Sequence, residues 1–197
     1  NIYLYKNKKF FLTINFKNNL NIYYYNNRKN LKNINNSIFT VYTPKINLKN
    51  RLIAFYNPNE IILYSLHTYS IMKKIKLSKN EIIYDLNFSK NNKEILFSTD
   101  KGYIYTINIK LYPTASVIHK CKKDKWANSL STDIYGNIIY TRNDNRIFYK
   151  NRNKNQNYEV HISKDDILNI DIEAYGRYLA YSDMFNIYIL SLKRINN

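Results

Sequence analysis

Three histidines, His67, His119 and His161, and the adjacent acids Asp165 and Asp166 are the side chains here that invite a reading as metal ligands or as an acid and base pair. A metal centre needs ligands at characteristic spacings, and these histidines share none. Each lies in or beside a link leading to a strand-like segment, where an imidazole bonds a turn or a sheet edge. The acidic pair precedes such a segment and is expected to close a turn, because acid–base work needs an opposed partner across a cleft. There is no glycine-rich phosphate loop and no nucleophile elbow. No catalytic residue, metal ligand or cofactor is therefore assigned, and the expectation is a protein that is not an enzyme.

The more local chemical feature is the run His119-Lys120-Cys121-Lys122-Lys123-Asp124-Lys125-Trp126. Four lysines beside an aromatic ring suit an anion or an acidic partner surface, so Lys120, Lys122, Lys123, Lys125 and Trp126 are candidate contact residues. A second basic stretch, residues 150–154, adds Arg152, whose guanidinium matches phosphate geometry. The competing readings are a solvated loop with Trp126 buried at the start of a strand, and a plain turn at 150–154.

Charge must be weighed with composition. Lys plus Arg number 31 against 14 acids, a formal net charge of +17, which points towards nucleic acid or an anionic surface. Lysine dominates over arginine, however, alongside abundant Asn, Ile and Tyr and only 3 Gly and 3 Pro. Those enriched residues share A- and T-rich codons, so an AT-rich genome explains much of the charge. The single cysteine, Cys121, rules out an internal disulfide framework. No stretch approaches the roughly 20 apolar residues of a spanning helix. A soluble, intracellular protein, cytoplasmic or nuclear, is expected. The chain opens at Asn1 in a strand-like segment, so a longer polypeptide is expected too.

What must position these side chains is β-structure. With 21 Tyr and 9 Phe beside plentiful Ile, the chain is rich in residues that fit a pleated, half-buried surface. Ile82-Ile83-Tyr84-Asp85-Leu86-Asn87-Phe88, a polar turn at 89–93, Glu94-Ile95-Leu96-Phe97-Ser98-Thr99-Asp100, the tight turn Lys101-Gly102 and Tyr103-Ile104-Tyr105-Thr106-Ile107-Asn108-Ile109 form a meander of three short strands. The unit recurs at 126–150 and 167–192, and upstream at 37–66. Repetition at this period marks a repeat architecture. Gly136 and Gly176 occupy equivalent first turns, and Asp100, Asp144 and Asp183 equivalent second turns, where a positive φ or an Asx-type bond is needed. Extra strands at 69–77, 116–119 and 158–162, each read as lying before the copy that follows it, supply the fourth strand of a propeller blade.

The run Ile61-Ile62-Leu63-Tyr64-Ser65-Leu66, the strand 71–77, Phe88, Leu96-Phe97-Ser98-Thr99-Asp100 and Ile104-Tyr105-Thr106-Ile107 resembles a WD-repeat unit. The resemblance spans roughly residues 37–195. Tyr105-Thr106 and Tyr64-Ser65 stand where that family favours Trp-Asp, and no Gly-His pair opens a unit, so the hydrogen-bond relay of those residues is not implied. The resemblance implies an all-β fold, a β-propeller of four-stranded antiparallel blades, incomplete within this chain at about four units. The expected division is a partial blade plus an Asn/Lys-rich loop (26–36) within residues 1–36, then blades over 37–197. It also implies a scaffold whose partners are other proteins of a multi-subunit complex; the alternative is a ribonucleoprotein component contacting RNA phosphates through Lys-rich loops.

Overall fold

The computed structural model describes residues 2–4, 10–14, 20–24, 30–34, 44–47, 49–58, 60–68, 70–77, 80–110 and 115–192. Every regular element among them is a strand. The first sheet comprises β1 (Ile2–Leu4), β2 (Phe10–Ile14), β3 (Leu20–Tyr24) and β4 (Asn30–Ile34). The second comprises β5 (Lys45–Asn47), β6 (Leu52–Asn57), β7 (Glu60–Ser65) and β8 (Ser70–Lys76). The third comprises β9 (Ile83–Phe88), β10 (Glu94–Thr99), β11 (Tyr103–Asn108) and β12 (Ser116–Lys120). The fourth comprises β13 (Ala127–Thr132), β14 (Ile138–Arg142), β15 (Arg146–Asn151) and β16 (Gln156–Ile162). The fifth has three strands, β17 (Asn169–Ile172), β18 (Tyr178–Ser182) and β19 (Ile187–Ser191). In every sheet each strand pairs antiparallel with its neighbour in sequence.

The repeat units expected from sequence correspond to the second to fifth sheets, with three corrections. The stretch read as a loop at 26–36 contains β4, whose Asn- and Lys-rich sequence carries almost no strand signal. The strands β1, β2, β3 and β4 accordingly form a four-stranded sheet rather than a partial one. In the second sheet the first strand is β5, inside what read as a long turn, whereas Ser37-Ile38-Phe39-Thr40-Val41-Tyr42 lies outside the described residues. The strands β8, β12 and β16 each close the sheet that precedes them.

Between the second and fifth sheets, successive sheets pack face to face. Ala54, Ile61, Leu63 and Ile75 meet Leu86, Ile95 and Phe97. Leu96 and Ile104, on the opposite side of the third sheet, meet Leu130, Ile138 and Tyr140. Ile139, Ile147 and Tyr149 then meet Ile170, Ile172, Leu179 and Tyr181. Because the middle strands bury both faces, they read as unbroken apolar runs rather than alternating ones. Each fully buried Ile, Leu or Phe contributes about 1.5–3 kcal/mol. The fifth sheet differs: its second face is open, with Ile187 79%, Ile189 73% and Tyr178 50% exposed.

The first strands β9, β13 and β17 lie side by side. Their edges are bonded sideways by side chains rather than by a ladder. Asp85 Oδ2 accepts from the Leu130 N–H at 2.9 Å, with Lys45 Nζ at 3.6 Å from its other oxygen. Burial raises the Asp85 pKa above the usual carboxylate value, opposed by Lys45 and by the Leu130 and Leu86 amides.

Candidate functional site

In an antiparallel meander the second turn of a sheet and the link to the next sheet fall at one end of the strands, and the first and third turns at the other. The candidate residues divide along that line. Lys120 ends β12 and Trp126 precedes β13, so the lysine run is a link between the third and fourth sheets. Arg152 sits in the third turn of the fourth sheet, at the far end.

The link is tied down along its length. The Cys121 N–H donates to Gly102 O at 2.8 Å, and the Asn143 N–H to Trp126 O at 3.1 Å. Gly102 has φ +79°, and a Cβ there would stand 2.4 Å from the Lys125 carbonyl oxygen. Only glycine lets the turn and the link approach this closely. Lys125 Nζ lies 3.8 Å from Asp144 Oδ2. Arg142 holds the same carboxylate through Nε at 2.7 Å and Nη2 at 2.5 Å, which keeps the Asp144 pKa below its usual value.

Trp126 is half-buried and stacks on Tyr84 of β9 at 5.6 Å between ring centroids, 13° from parallel. Tyr84 is 42% exposed, so the pair forms an aromatic shelf bridging two first strands. Lys122 and Lys123 are exposed, and neither ammonium group has a partner among the described residues, although the Lys122 carbonyl accepts the Lys125 N–H at 3.1 Å. Lys120 Nζ sits 4.8 Å above the Tyr103 ring. Lysines and shelf together make a basic, aromatic surface able to receive an anionic, partly apolar group.

Arg152 is not part of it. Its guanidinium pairs with Glu94 of β10, Nη2 to Oε1 at 3.1 Å and Nη1 to Oε2, and its N–H donates to Asn137 Oδ1 at 3.2 Å. It therefore bonds the third sheet to the fourth.

The histidines divide as well. His67 is exposed, 3.4 Å from Arg51 Nη1. His119 of β12 reaches into the fourth sheet, Nε2 2.8 Å from Tyr140 Oη, and His161 of β16 reaches into the fifth, Nε2 2.9 Å from Tyr181 Oη. These two inter-sheet bonds went unforeseen from single residues. Their signal was the spacing, since each histidine precedes its tyrosine by 21 and 20 residues respectively. Burial lowers the His119 pKa to about 4, with Lys150 adding to the effect. Asp165 and Asp166 are exposed, Asp165 donating its N–H to Ser163 Oγ at 3.3 Å. Among the described residues no three His, Cys, Asp or Glu side chains are grouped as a metal site would require. No helix among them is long and apolar enough to cross a membrane.

No protein-family model and no curated protein sequence matches the chain. Among solved structures it is similar to the Cps50 (Swd1) beta-propeller domain of Myceliophteria thermophila, at 11% identity and a TM-score of 0.81. The match covers 100% of this chain and 66% of that one, so the chain spans about two thirds of that structure's length. Antiparallel meanders of three or four strands packed face to face, and this superposition, lead to one conclusion: the chain has the β-propeller fold.

Proposed function

We propose that this propeller is a non-catalytic scaffold that docks a partner protein within a larger complex, at the end bearing Lys120, Lys122, Lys123, Lys125 and Trp126. The observation that carries this reading is the Tyr84–Trp126 stack, an aromatic shelf between the first strand β9 and the link that enters β13, with Lys122 and Lys123 in the same link. Rigid aromatic groups are the usual anchors of protein interfaces, and flanking charges set orientation and encounter rate. The side chains at this end are suited to contact rather than to bond making, since the buried Cys121 thiol is pushed up to about 11, mainly by desolvation, and is a poor nucleophile.

A second reading, contact with RNA phosphates, draws on the same lysines. Arg152 does not add to it, being engaged with Glu94 at the other end. Binding to a single-stranded RNA across a salt series separates the two. Steep loss of a tight affinity with salt supports the RNA reading, whereas weak, sequence-indifferent binding leaves the protein scaffold as the function.

A further inference from the structure

The first turns of the second to fifth sheets lie at the end of the strands opposite the lysine run, and they are bonded to one another. Asn50 Nδ2 donates to the Asn92 carbonyl at 2.6 Å, the Lys90 N–H to Thr132 Oγ1 at 2.9 Å, and the Ile134 N–H to the Ala174 carbonyl at 2.8 Å. Exposed side chains stand directly beside the first and last of these joins, each next in sequence to a bonded residue. Lys49 and Lys93 flank one, and Tyr135 and Tyr175 flank the other. The tyrosines are 61% and 56% exposed and are the exposed large apolar side chains among the described residues of these turns.

Charge separates the two ends of the strands. At the end bearing the first turns every described acid is already engaged: Glu94 by Arg152, Asp171 by Lys90, Glu173 by Arg177, and Asp133 by the Tyr135 and Asn137 amides. The ammonium groups of Lys49, Lys93 and Lys154 are exposed there and have no partner among the described residues. At the lysine end the exposed acids Asp124, Asp165 and Asp166 are interspersed with the cations. A polyanion therefore meets the more uniformly positive surface at the first turns, away from the run that is richest in lysine.

We propose that this end of the propeller binds single-stranded nucleic acid, its bases stacking on the Tyr135 and Tyr175 rings and its phosphates meeting Lys49, Lys93 and Lys154. An unpaired strand offers a flat apolar face and a negative charge at every nucleotide, which suits exposed rings set among unpaired cations. A protein partner would call for apolar groups around the rings, and the described turn residues expose no large aliphatic side chain. The joins between turns hold both rings in place before binding, and Arg177, 5.6 Å over the Tyr175 ring, adds to this. The site is independent of protein docking at the lysine end, and it places phosphate contact away from Lys122 and Lys123.

The test is fluorescence anisotropy of a labelled oligouridine, and of its deoxy counterpart, with the full chain across a salt series. Binding of both, or of the RNA alone, supports the site and tells which nucleic acid it takes. Tyr135→Ala with Tyr175→Ala should weaken binding by about tenfold or more, whereas Tyr135→Phe with Tyr175→Phe, which keeps the rings, should stay within about twofold. Lys49→Glu with Lys93→Glu should weaken binding and flatten its salt dependence, and Lys122→Glu with Lys123→Glu should change it little. The proposal is overturned by an absence of binding, by wild-type affinity in the alanine variant, or by a loss confined to the Lys122 and Lys123 variant. Equal displacement of the probe by polyglutamate also overturns it, by making the occupant an acidic polypeptide. Ultraviolet cross-linking of the unsubstituted protein gives a reading that no folding defect can mimic. Nucleotide adducts should map to Tyr135 or Tyr175, and adducts confined to residues 120–126 refute the site.

Discussion

His119 Nε2 lies 2.8 Å from Tyr140 Oη across the boundary between the third and fourth sheets, their rings 5.3 Å apart. His161 and Tyr181 repeat the contact one sheet on, at 2.9 Å and again 5.3 Å. One sheet back, register puts Ile75 where the histidines stand and Phe97 where the tyrosines stand, and these two pack in one core cluster. A hydroxyl thus appears where a histidine can meet it, and is absent where the partner is aliphatic. Each aromatic also stacks on its cross-strand neighbour: Phe97 on Tyr105, Tyr140 on Phe148 and Tyr181 on Tyr188, at 4.7–5.4 Å.

The His119 contact makes stability depend on pH. Burial pushes its pKa down to about 4, below the unfolded value near 6.5. Between these values the unfolded chain binds the extra proton. Stability is therefore at its full value above about pH 6.5 and is lost as pH falls towards 4. Urea midpoints from pH 8 to 4 should show this decline, and the double variant His119→Phe with Tyr140→Phe should flatten it. An equal slope in both proteins rules out His119 as the source.

Asp133 and Glu173 cap equivalent first turns at different depths, so their loss should differ. Asp133 is 1% exposed and accepts from the Tyr135 and Asn137 amides, both at 2.9 Å, and from Tyr149 Oη at 3.2 Å. Asp133→Ala leaves buried donors unpaired and should cost about 3–5 kcal/mol. Glu173 serves the Tyr175 and Arg177 amides near solvent, where water replaces it, so Glu173→Ala should shift Tm little. Equal losses in calorimetry contradict the burial argument.

Gly102→Ala tests the tether of the lysine link. Its Cβ would meet the Lys125 carbonyl oxygen at 2.4 Å in a left-handed conformation. A loss of roughly 1–3 kcal/mol, with faster amide exchange across residues 121–126, is expected. Wild-type exchange in that segment tells against the close approach.

Cys121 should resist alkylation. With its thiol pushed up to about 11 by burial, thiolate at pH 8 is scarce, and iodoacetamide should react about two orders of magnitude more slowly than with the unfolded chain. Comparable native and denatured rates contradict this environment.

The sequence made some of this legible and hid the rest for physical reasons. Apolar runs such as Ile95-Leu96-Phe97 mark middle strands buried on both faces. Gly136 and Gly176 adopt the expected positive φ, at 85° and 73°. Asp183 makes the expected Asx bonds, to the Phe185 and Asn186 amides, whereas Asp144 is engaged by arginines instead. β4 and β5 stayed hidden because Asn and Lys, common throughout the chain, carry no strand preference. The candidate site was half legible: residues 120–126 stood out by charge, but Tyr84, more than forty residues earlier and in another sheet, supplies the ring under Trp126. Arg152 resembled a companion to the lysines only while the alternation of ends along the meander was ignored.

The docking role of the lysine end is tested most directly by quantitative affinity purification with mass spectrometry, comparing wild type with Trp126→Ala and with Lys122→Glu, Lys123→Glu. The exposed, unpaired lysines can be reversed without unfolding the protein, which an unchanged Tm will verify. One set of protein partners should fall at least tenfold in both variants. Retention of every partner by folded variants would contradict it.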